Sequence, residues 1–364
     1  MTILDLRLVN FRSYPALQMD FHKGMNIIVG KNAMGKTNLC EAIFMAHQGR
    51  SFRTHTVKEM VGFNKEEAYL AANIQFSDAN RFVEIKINNQ GNKIIRINEE
   101  PLTSQKDLKT QSPIVIFTPD EMDLIKGSPD KRRTFLDQLL MIISPIYEKH
   151  LSRYQRVLIQ RNNRLKQGVD KKDKLLDVYD EQLVEHGLLL LKGRRRIIEE
   201  LSPYSSQNHK SLTENKENLR LYYNTFMEIE KGENHYRNLL AKSREEDLRL
   251  GNTAIGPHRD DLSVFINDKD SRTFGSQGQQ RSAVLSLKIG QLKYIENKLN
   301  DLPILILDDV FSELDEDRKN SLMDILEKTQ SFITMTDAVN LDSFQTKKHR
   351  IYTIEEKKIT RVEG

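Results

Sequence analysis

The stretch GKNAMGKTN, from Gly30 to Asn38, has the residue types and spacing of a phosphate-binding loop. It fits the pattern G-x-x-x-x-G-K-S/T, with Gly30, Gly35, Lys36 and Thr37 in the fixed positions. The glycines let consecutive backbone N–H groups face an anion, the lysine reaches the outer phosphates, and the threonine hydroxyl can ligate magnesium. An apolar run precedes the loop and helical apolar spacing follows it, so the positive end of a helix adds to the site. This context favours a nucleotide phosphate site over the alternative, a glycine turn at the surface.

A phosphate-binding loop needs a strand that carries a carboxylate, and such a strand comes late in the chain, at PILILDDVFSELD. Four apolar residues lead into Asp308 and Asp309. A buried strand that ends there places Asp308 beside magnesium, and Asp309 where it can orient or deprotonate an attacking water. Many parallel strands end in an aspartate that only caps the next helix. Together with the loop, the pair indicates nucleotide hydrolysis.

A third stretch, FGSQGQQRSAVLSLKIGQL at 274–292, places small and polar residues before a helix with apolar spacing. A serine and free N–H groups at a helix N-terminus form a second anion site, and the alternative is a polar helix cap. The core S-Q-G-Q-Q resembles the S-G-G-Q signature of ATP-binding-cassette ATPases. In those proteins the signature of one subunit covers the γ-phosphate held by the loop of another. One loop per chain is then enough, because two chains close over two nucleotides.

The composition is that of an ordinary folded protein. The 364 residues are 30% charged and 38% hydrophobic, with a formal net charge of +4 at pH 7, which permits nucleic-acid binding without arguing for it. No apolar run approaches the roughly 20 residues of a membrane span, and the start lacks the features of a signal peptide. We therefore expect a cytoplasmic protein with no membrane partner. The single cysteine, Cys40, is predicted to be a small core residue, and no Cys/His cluster has zinc spacing.

Residue patterns divide the chain into a head and an inserted arm. Strand patterns run to about residue 117, and helical patterns follow from about 130 to 250. Two helices of about 25 residues, joined by the turn QGVDKKDK, would reach roughly 35 to 40 Å. Their apolar seams are Tyr147, Leu151, Tyr154, Leu158 and Leu165, and Leu176, Tyr179, Leu183 and Leu190. The predicted fold is α/β, an ATP-binding-cassette-type P-loop ATPase head of mixed sheets and helices at 1–118 and 255–364, with a helical arm at 119–254.

Several stretches, in order along nearly the whole chain, carry a closer resemblance. They are LVNFRSY, GRSFRT, PDEMDLIKGSPDKRRTFLD at 119–137, GPHRDD at 256–261, SQGQQR and LDDVFSELD. Together they resemble the RecF family of recombinational DNA-repair proteins, which are similar to the heads of Rad50 and of structural-maintenance-of-chromosomes proteins with short arms. The resemblance implies a homodimer that forms with ATP, clamps single- or double-stranded DNA at gaps and hydrolyses ATP slowly. It also implies that RecR and RecO are partners in loading RecA.

Carried over residue by residue, the resemblance assigns a role to each motif. Asp309 is the catalytic carboxylate together with Lys36, and Thr37 and Asp308 hold Mg²⁺. The ATP-binding residues are Gly30, Lys31, Asn32, Ala33, Met34, Gly35, Lys36 and Thr37, and the signature contacts from the second chain are Ser276, Gly278 and Gln279. Asp309 stands where many cassette ATPases have glutamate, which fits slow turnover, and Thr336 stands where many have a switch histidine. No glutamine loop is assigned among Gln75, Gln90, Gln105 and Gln111.

The roles of two sets of arginines are left open between a ligand contact and an ordinary surface charge. Arg12 and Arg53 are candidates for nucleotide contact or are surface charges. On the arm, the basic residues are DNA candidates or belong to a solvated face. These are Arg153, Arg156, Arg161, Arg164, Arg194, Arg195 and Arg196.

Three other classes of protein share part of these features. A transporter's ATPase subunit would carry the loop, signature and carboxylates, but not the 119–137 block. A GTPase needs the guanine-reading motif N-K-x-D, and NKEE, NKEN and NKLN all lack its final aspartate. A purely structural tether would tolerate loss of Asp309.

Overall fold

The structure, a computed structural model, describes residues 1–76, 79–102, 108, 113–311, 319, 322–323, 325–336, 349–355 and 358–362. The chain forms two compact units, Met1–Glu121 with Ile295–Gly364, and Met122–Tyr294. The sequence-based division differs from this one at its second boundary, because residues 255–294 lie in the second unit. There the strand Asp261–Ile266 pairs with the strand Leu219–Asn224, which keeps both in one unit.

The strands of the described residues are β1 (Thr2–Phe11), β2 (Tyr14–Asp20), β3 (Met25–Val29), β4 (Glu67–Gln75), β5 (Asn80–Asn88), β6 (Lys93–Ile97), β7 (Glu100–Pro101), β8 (Ile114–Phe117), β9 (Leu219–Asn224), β10 (Asp261–Ile266), β11 (Lys269–Asp270), β12 (Ile304–Leu307), β13 (Ser331–Met335), β14 (His349–Glu355) and β15 (Lys358–Val362). The helices that the structure describes from end to end are α1 (Lys36–Gln48), α2 (Asp123–Lys126), α3 (Pro129–Ile143), α4 (Pro145–Leu165), α5 (Lys174–Leu212), α6 (Gly232–Leu250), α7 (Ser271–Phe274) and α8 (Gln277–Leu299). Short 3₁₀ turns occupy Val57–Met60, Pro119–Met122, Ile229–Lys231 and Pro257–Arg259.

The described residues of the first unit form two sheets. One is antiparallel, in the order β2-β1-β4-β5-β6-β7. The other has the order β15-β14-β3-β13-β12-β8, in which β14, β3, β13, β12 and β8 are parallel and β15 is antiparallel. The strands β3, β13 and β12 are buried along their whole length, as expected for parallel strands covered on both faces. Their carboxyl ends therefore meet at one edge of the sheet.

Helix α1 and both sheets share one hydrophobic core. Residues Leu39, Ile43, Phe44 and Met45, whose spacing predicts a helix after the loop, all lie on α1 and are buried. Cys40 is fully buried in the same core, which confirms its predicted place. Mixed sheets with helices confirm the predicted α/β fold.

The second unit holds the long helices, and two sequence expectations are corrected there. Helix α4 has 21 residues and α5 has 39, against the expected length of about 25, because the apolar periodicity of α5 continues past its predicted end, with Pro203 inside the helix. Strand β9 lies within the region predicted to be helical, and its buried and exposed residues alternate as in a strand. It forms the sheet β11-β10-β9. Of the predicted seam residues, Leu158 and Tyr179 are only half-buried and the others are buried.

Across the ranges described, no helix combines the length and the apolar character needed to cross a membrane.

Helix α1 contains a buried histidine whose pKa is lowered by burial. His47 is fully buried in the last turn, with Nδ1 2.8 Å from the Ile43 carbonyl oxygen. Its Nε2 has no hydrogen-bond partner within the described ranges. Burial lowers the pKa of His47 from 6.5 to about 4.

We expect the free energy of unfolding to fall as the pH drops from 6.5 towards 4, because there the unfolded chain protonates His47 and the folded chain does not. The loss attributable to His47 is about 3 kcal/mol. Urea unfolding between about pH 7 and about pH 4 should show this loss in the wild type and in His55→Leu, an exposed control, but not in His47→Leu. Equal acid sensitivity of the wild type and His47→Leu would contradict this origin.

Candidate nucleotide site

The phosphate-binding loop joins β3 to α1, and its two fixed glycines have no room for a side chain. Gly35 has a left-handed φ of 106°, and a Cβ there would lie 3.0 Å from the Tyr14 hydroxyl and 3.1 Å from Ser13 Oγ. A Cβ at Gly30 would lie 2.9 Å from the Ile354 carbonyl oxygen. The turn between β1 and β2 therefore requires glycine at position 35, and β14 requires it at position 30.

The Lys36 ammonium lies inside the curl of the loop. Its Nζ donates to the Gly30 carbonyl at 2.7 Å and to the Lys31 carbonyl at 3.4 Å, and lies 3.7 Å from Asp309 Oδ1. The Lys36 side chain is only 4% exposed. The loop's own carbonyls thus fix the ammonium beside the carboxylate that follows β12.

Two carboxylates follow β12, and a threonine on the neighbouring strand orients both. Thr334 Oγ1 donates to Asp308 Oδ1 at 2.8 Å and accepts from the Asp309 N–H at 2.8 Å. Asp309 has a left-handed φ of 54°, which aspartate tolerates better than most residues. Sequence reasoning missed Thr334, although the strand it lies on runs between β3 and β12 in the sheet. It considered Thr336 instead, two residues farther on.

Thr37 and Asp308 together fit a magnesium ion. The Thr37 hydroxyl is hydrogen-bonded to the buried Asp308 carboxylate, so the two oxygens are neighbours. Burial raises the pKa of Asp308, and the hydrogen bonds from Thr334 and Thr37 oppose that rise. In the part of the chain that is described, no three His, Cys, Asp or Glu side chains cluster as a metal cage. One hydroxyl and one carboxylate suit Mg²⁺, which usually takes its remaining ligands from water and phosphates.

The two candidate arginines, Arg12 and Arg53, share a buried carboxylate on α1. Glu41 is fully buried and accepts from Arg12 Nε at 2.9 Å, from Arg12 Nη2 at 2.7 Å and from Arg53 Nη1 at 3.4 Å. Arg53 also donates to Asn38 Oδ1 at 2.8 Å, and Asn38 donates to Ser13 Oγ at 2.8 Å. Both arginines are therefore held against the helix that begins at the loop, rather than lying as isolated surface charges.

The signature residues lie in the second unit, at the start of α8. Ser276 is exposed and caps the helix, with the Gln279 N–H 3.3 Å from Ser276 Oγ and the Ser276 N–H 2.9 Å from Gln279 Oε1. These reciprocal bonds form a capping box. Gly278 is half-buried, and its carbonyl accepts from Ser282 Oγ at 3.0 Å. The structure thus shows the polar helix cap at this end of α8, and the anion site at the same end stays a prediction.

Comparison with known proteins gives one consistent result. Residues 2–360 match the RecF/RecN/SMC N-terminal domain family. The chain is 40% identical to the DNA replication and repair protein RecF of Clostridioides difficile (strain 630), over 100% of this chain and 99% of that protein. It is 36% identical to the RecF of Clostridium botulinum (strain ATCC 19397 / Type A), over 100% of both. The chain belongs to the RecF family.

Solved structures agree with this membership. The recombination mediator protein RecF of the RecFOR pathway, solved with ATPrS, is 33% identical with a TM-score of 0.90, over 99% of this chain and 98% of that one. The Smc head domain of Pyrococcus furiosus is 16% identical with a TM-score of 0.57, over 99% of this chain and 96% of that one, and shows the shared fold alone.

In this RecF-family chain, the structure brings four of the expected site residues together in the first unit. Lys36, Thr37, Asp308 and Asp309 meet at the carboxyl edge of the parallel sheet. The signature residues lie in the other unit. Gln75 ends β4, Gln90 lies in the turn after β5, and Gln105 and Gln111 lie outside the described residues.

We expect Glu41→Ala to lower the free energy of unfolding by about 3 kcal/mol, because the Arg12 guanidinium would lose its buried carboxylate. Glu41→Gln keeps the shape and one acceptor, so it should cost less. The control is Glu59→Ala, since Glu59 is exposed and only its carbonyl oxygen accepts from Arg12. Urea unfolding should leave this control within about 0.5 kcal/mol of the wild type. A Glu41→Ala protein as stable as the control would show that the cluster is not structural.

Proposed function

We propose that this chain is a slow ATPase of DNA repair that closes as a head-to-head homodimer on ATP and holds DNA while closed. The observation that carries the proposal is the meeting of Lys36, Thr37, Asp308 and Asp309 at one sheet edge, beside the loop. Full-length similarity to RecF proteins, one of them solved with ATP in the RecFOR pathway, supports it.

Each group at this edge has a task that follows from its position. The backbone N–H groups of residues 30–37 bind the phosphates, and Lys36 neutralises their charge. Thr37 and Asp308 would hold Mg²⁺, which neutralises charge that develops on the phosphate oxygens. Asp309 orients the attacking water or accepts its proton. Because aspartate is one methylene shorter than glutamate, its reach to that water is reduced, and this fits slow turnover.

The second half of the site would come from another copy of the chain. Each chain offers one loop, and the capping box at Ser276 presents an exposed hydroxyl at the positive N-terminal end of α8. Ser276, Gly278 and Gln279 of one protomer would contact the γ-phosphate held by the other. Closure on two nucleotides makes dimerisation depend on ATP, and hydrolysis opens the dimer.

Some basic residues of the arm are engaged in contacts within the protein, and others are exposed and able to bind phosphates. Arg161 and Arg194 are buried: Arg161 bonds Asp180 at 2.6 Å, and Arg194 bonds Asp137 at 2.8 Å. The guanidinium groups of Arg164, Arg195 and Arg196 pair with Asp173, Glu230 and Glu200. Buried and paired guanidinium groups are poor candidates for binding phosphates.

The outer face of α4 is the DNA surface that we propose. Lys149, Arg153 and Arg156 are exposed, and none has an ion-pair partner in the described ranges. Spacings of four and three residues place them on one helix face, along about 10 Å. Residues 149–169 contain no Asp or Glu, so no carboxylate from this stretch repels a phosphate. Such a surface binds the backbone of single- or double-stranded DNA and does not read base sequence.

Membership of the RecF family supports a place for this protein at single-strand gaps. We propose that it acts there with RecR and RecO to promote loading of RecA, and that DNA stimulates its ATPase. A transporter's ATPase subunit would instead co-purify with a membrane partner.

We expect Ser276→Arg to prevent ATP-dependent dimerisation while the monomer still binds ATP, because the loop lies in the other unit. Asp309→Asn should prolong the life of the ATP dimer, because its side chain no longer carries the carboxylate that prepares the water. Sedimentation in Mg²⁺-ATP and in Mg²⁺-ADP measures both effects. A Ser276→Arg protein that dimerises like the wild type would exclude contact in trans.

We expect Arg153→Ala/Arg156→Ala to bind DNA more weakly in ATP and with a shallower dependence on salt. Each lost phosphate contact should reduce the log–log salt slope by about 0.9. Arg195→Ala/Arg196→Ala removes the same charge from α5 and is the matched control, because both guanidinium groups are already paired. Salt titrations on random duplex and gapped DNA measure the slopes. Equal slopes for the two double variants would reject the α4 surface.

A further inference from the structure

Both ends of the Gln279 side-chain amide are held by neighbours in the second unit. Its Oε1 accepts from the Ser276 N–H at 2.9 Å, and its Nε2 donates to Glu217 Oε1 at 2.8 Å. A backbone N–H only donates and a carboxylate only accepts, so these two partners fix which way the amide points. The capping box is therefore anchored to a residue that lies outside α8.

Glu217 is itself held from its other side. It lies in the turn between α5 and β9, and its side chain is 18% exposed. Its Oε2 is 3.1 Å from Nε2 of His209, which is fully buried in the last turn of α5. His209 Nδ1 is 3.0 Å from Ser286 Oγ, farther along α8. With one carboxylate oxygen on Gln279 and the other on His209, Glu217 connects the end of α5 to the start of α8.

We infer that Glu217, oriented by His209, is a positioning residue that holds Gln279 and Ser276 in the geometry needed to meet the nucleotide of a second chain. The inference rests on the proposed trans contact. Gln279 has three rotatable side-chain bonds, and ordering such a side chain only at the moment of closure weakens an interface. Glu217 orders it beforehand. The ATP-binding loop lies in the other unit, so ATP affinity of the monomer does not depend on Glu217.

The test compares dimerisation of the full chain in Mg²⁺-ATP for the wild type, Glu217→Ala and Glu217→Gln. Loss of one ordered side chain should raise the dimer dissociation constant of Glu217→Ala about tenfold, with unchanged ATP affinity of the monomer. ATP turnover should recover at high protein concentration. Glu217→Gln should lie closer to the wild type, because its amide oxygen can still accept from Gln279.

The matched control is Glu214→Ala, in the same turn. Glu214 is exposed and pairs with Lys216 at 2.6 Å, so this variant should dimerise like the wild type. Should Glu217→Ala fail to fold, Glu217→Leu keeps the volume without the acceptor and decides in its place.

Two results would overturn the inference and leave the proposed function standing. One is a Glu217→Ala protein that dimerises like Glu214→Ala while Ser276→Arg does not. The other is a Glu217→Ala defect that high protein concentration does not repair and that Glu217→Gln shares in full, which indicates general misfolding. A wild type that stays monomeric in ATP would overturn the proposed function, and this inference with it.

Discussion

Strand β13 pairs in parallel with β3 on one side and with β12 on the other, and the chemistry of the first unit depends on this arrangement. Because the three strands run in one direction, the loop after β3 and the carboxylates after β12 leave the sheet at the same edge. Their separation is one strand wide, and Thr334 of β13 bridges that gap with hydrogen bonds to Asp308 and Asp309. Lys36, held by the loop's carbonyls, completes the group from the other side.

In the second unit, buried arginine–aspartate pairs join the helices to one another. Arg161 reaches Asp180 of α5 and Asp247 of α6 from α4, and Arg194 of α5 reaches Asp137 of α3. Removing ions from water is costly unless each is paired, so such networks fix which helices pack together. Many arginines of an arginine-rich arm can therefore serve to pack its helices together rather than to bind DNA. Only the charges left outside these pairs are available to a polyanion.

The motifs could be predicted from the sequence because each is local. Each motif is a short run of residues whose types predict its local geometry. These motifs are the loop, the aspartates after β12 and the serine before α8. Thr334 and Glu217 could not be predicted, because the partner of each lies far away in the chain. Thr334 bonds Asp308, and Glu217 bonds Gln279. The exposure of Arg153 and the burial of Arg161 were equally unpredictable, because both fit one helical pattern and only the packed helices distinguish them. Strand β9 was missed because helical patterns surround it.

The central claim is that each complete site combines the loop of one chain with the signature of another. Mixing Lys36→Ala with Ser276→Arg, two variants that we expect to be inactive when alone, tests it most directly. In a mixed dimer the intact loop of the Ser276→Arg chain faces the intact signature of the Lys36→Ala chain, so ATP turnover should return, from one site per dimer. Turnover of the mixture that equals the sum of the two separate samples would contradict a site shared between chains.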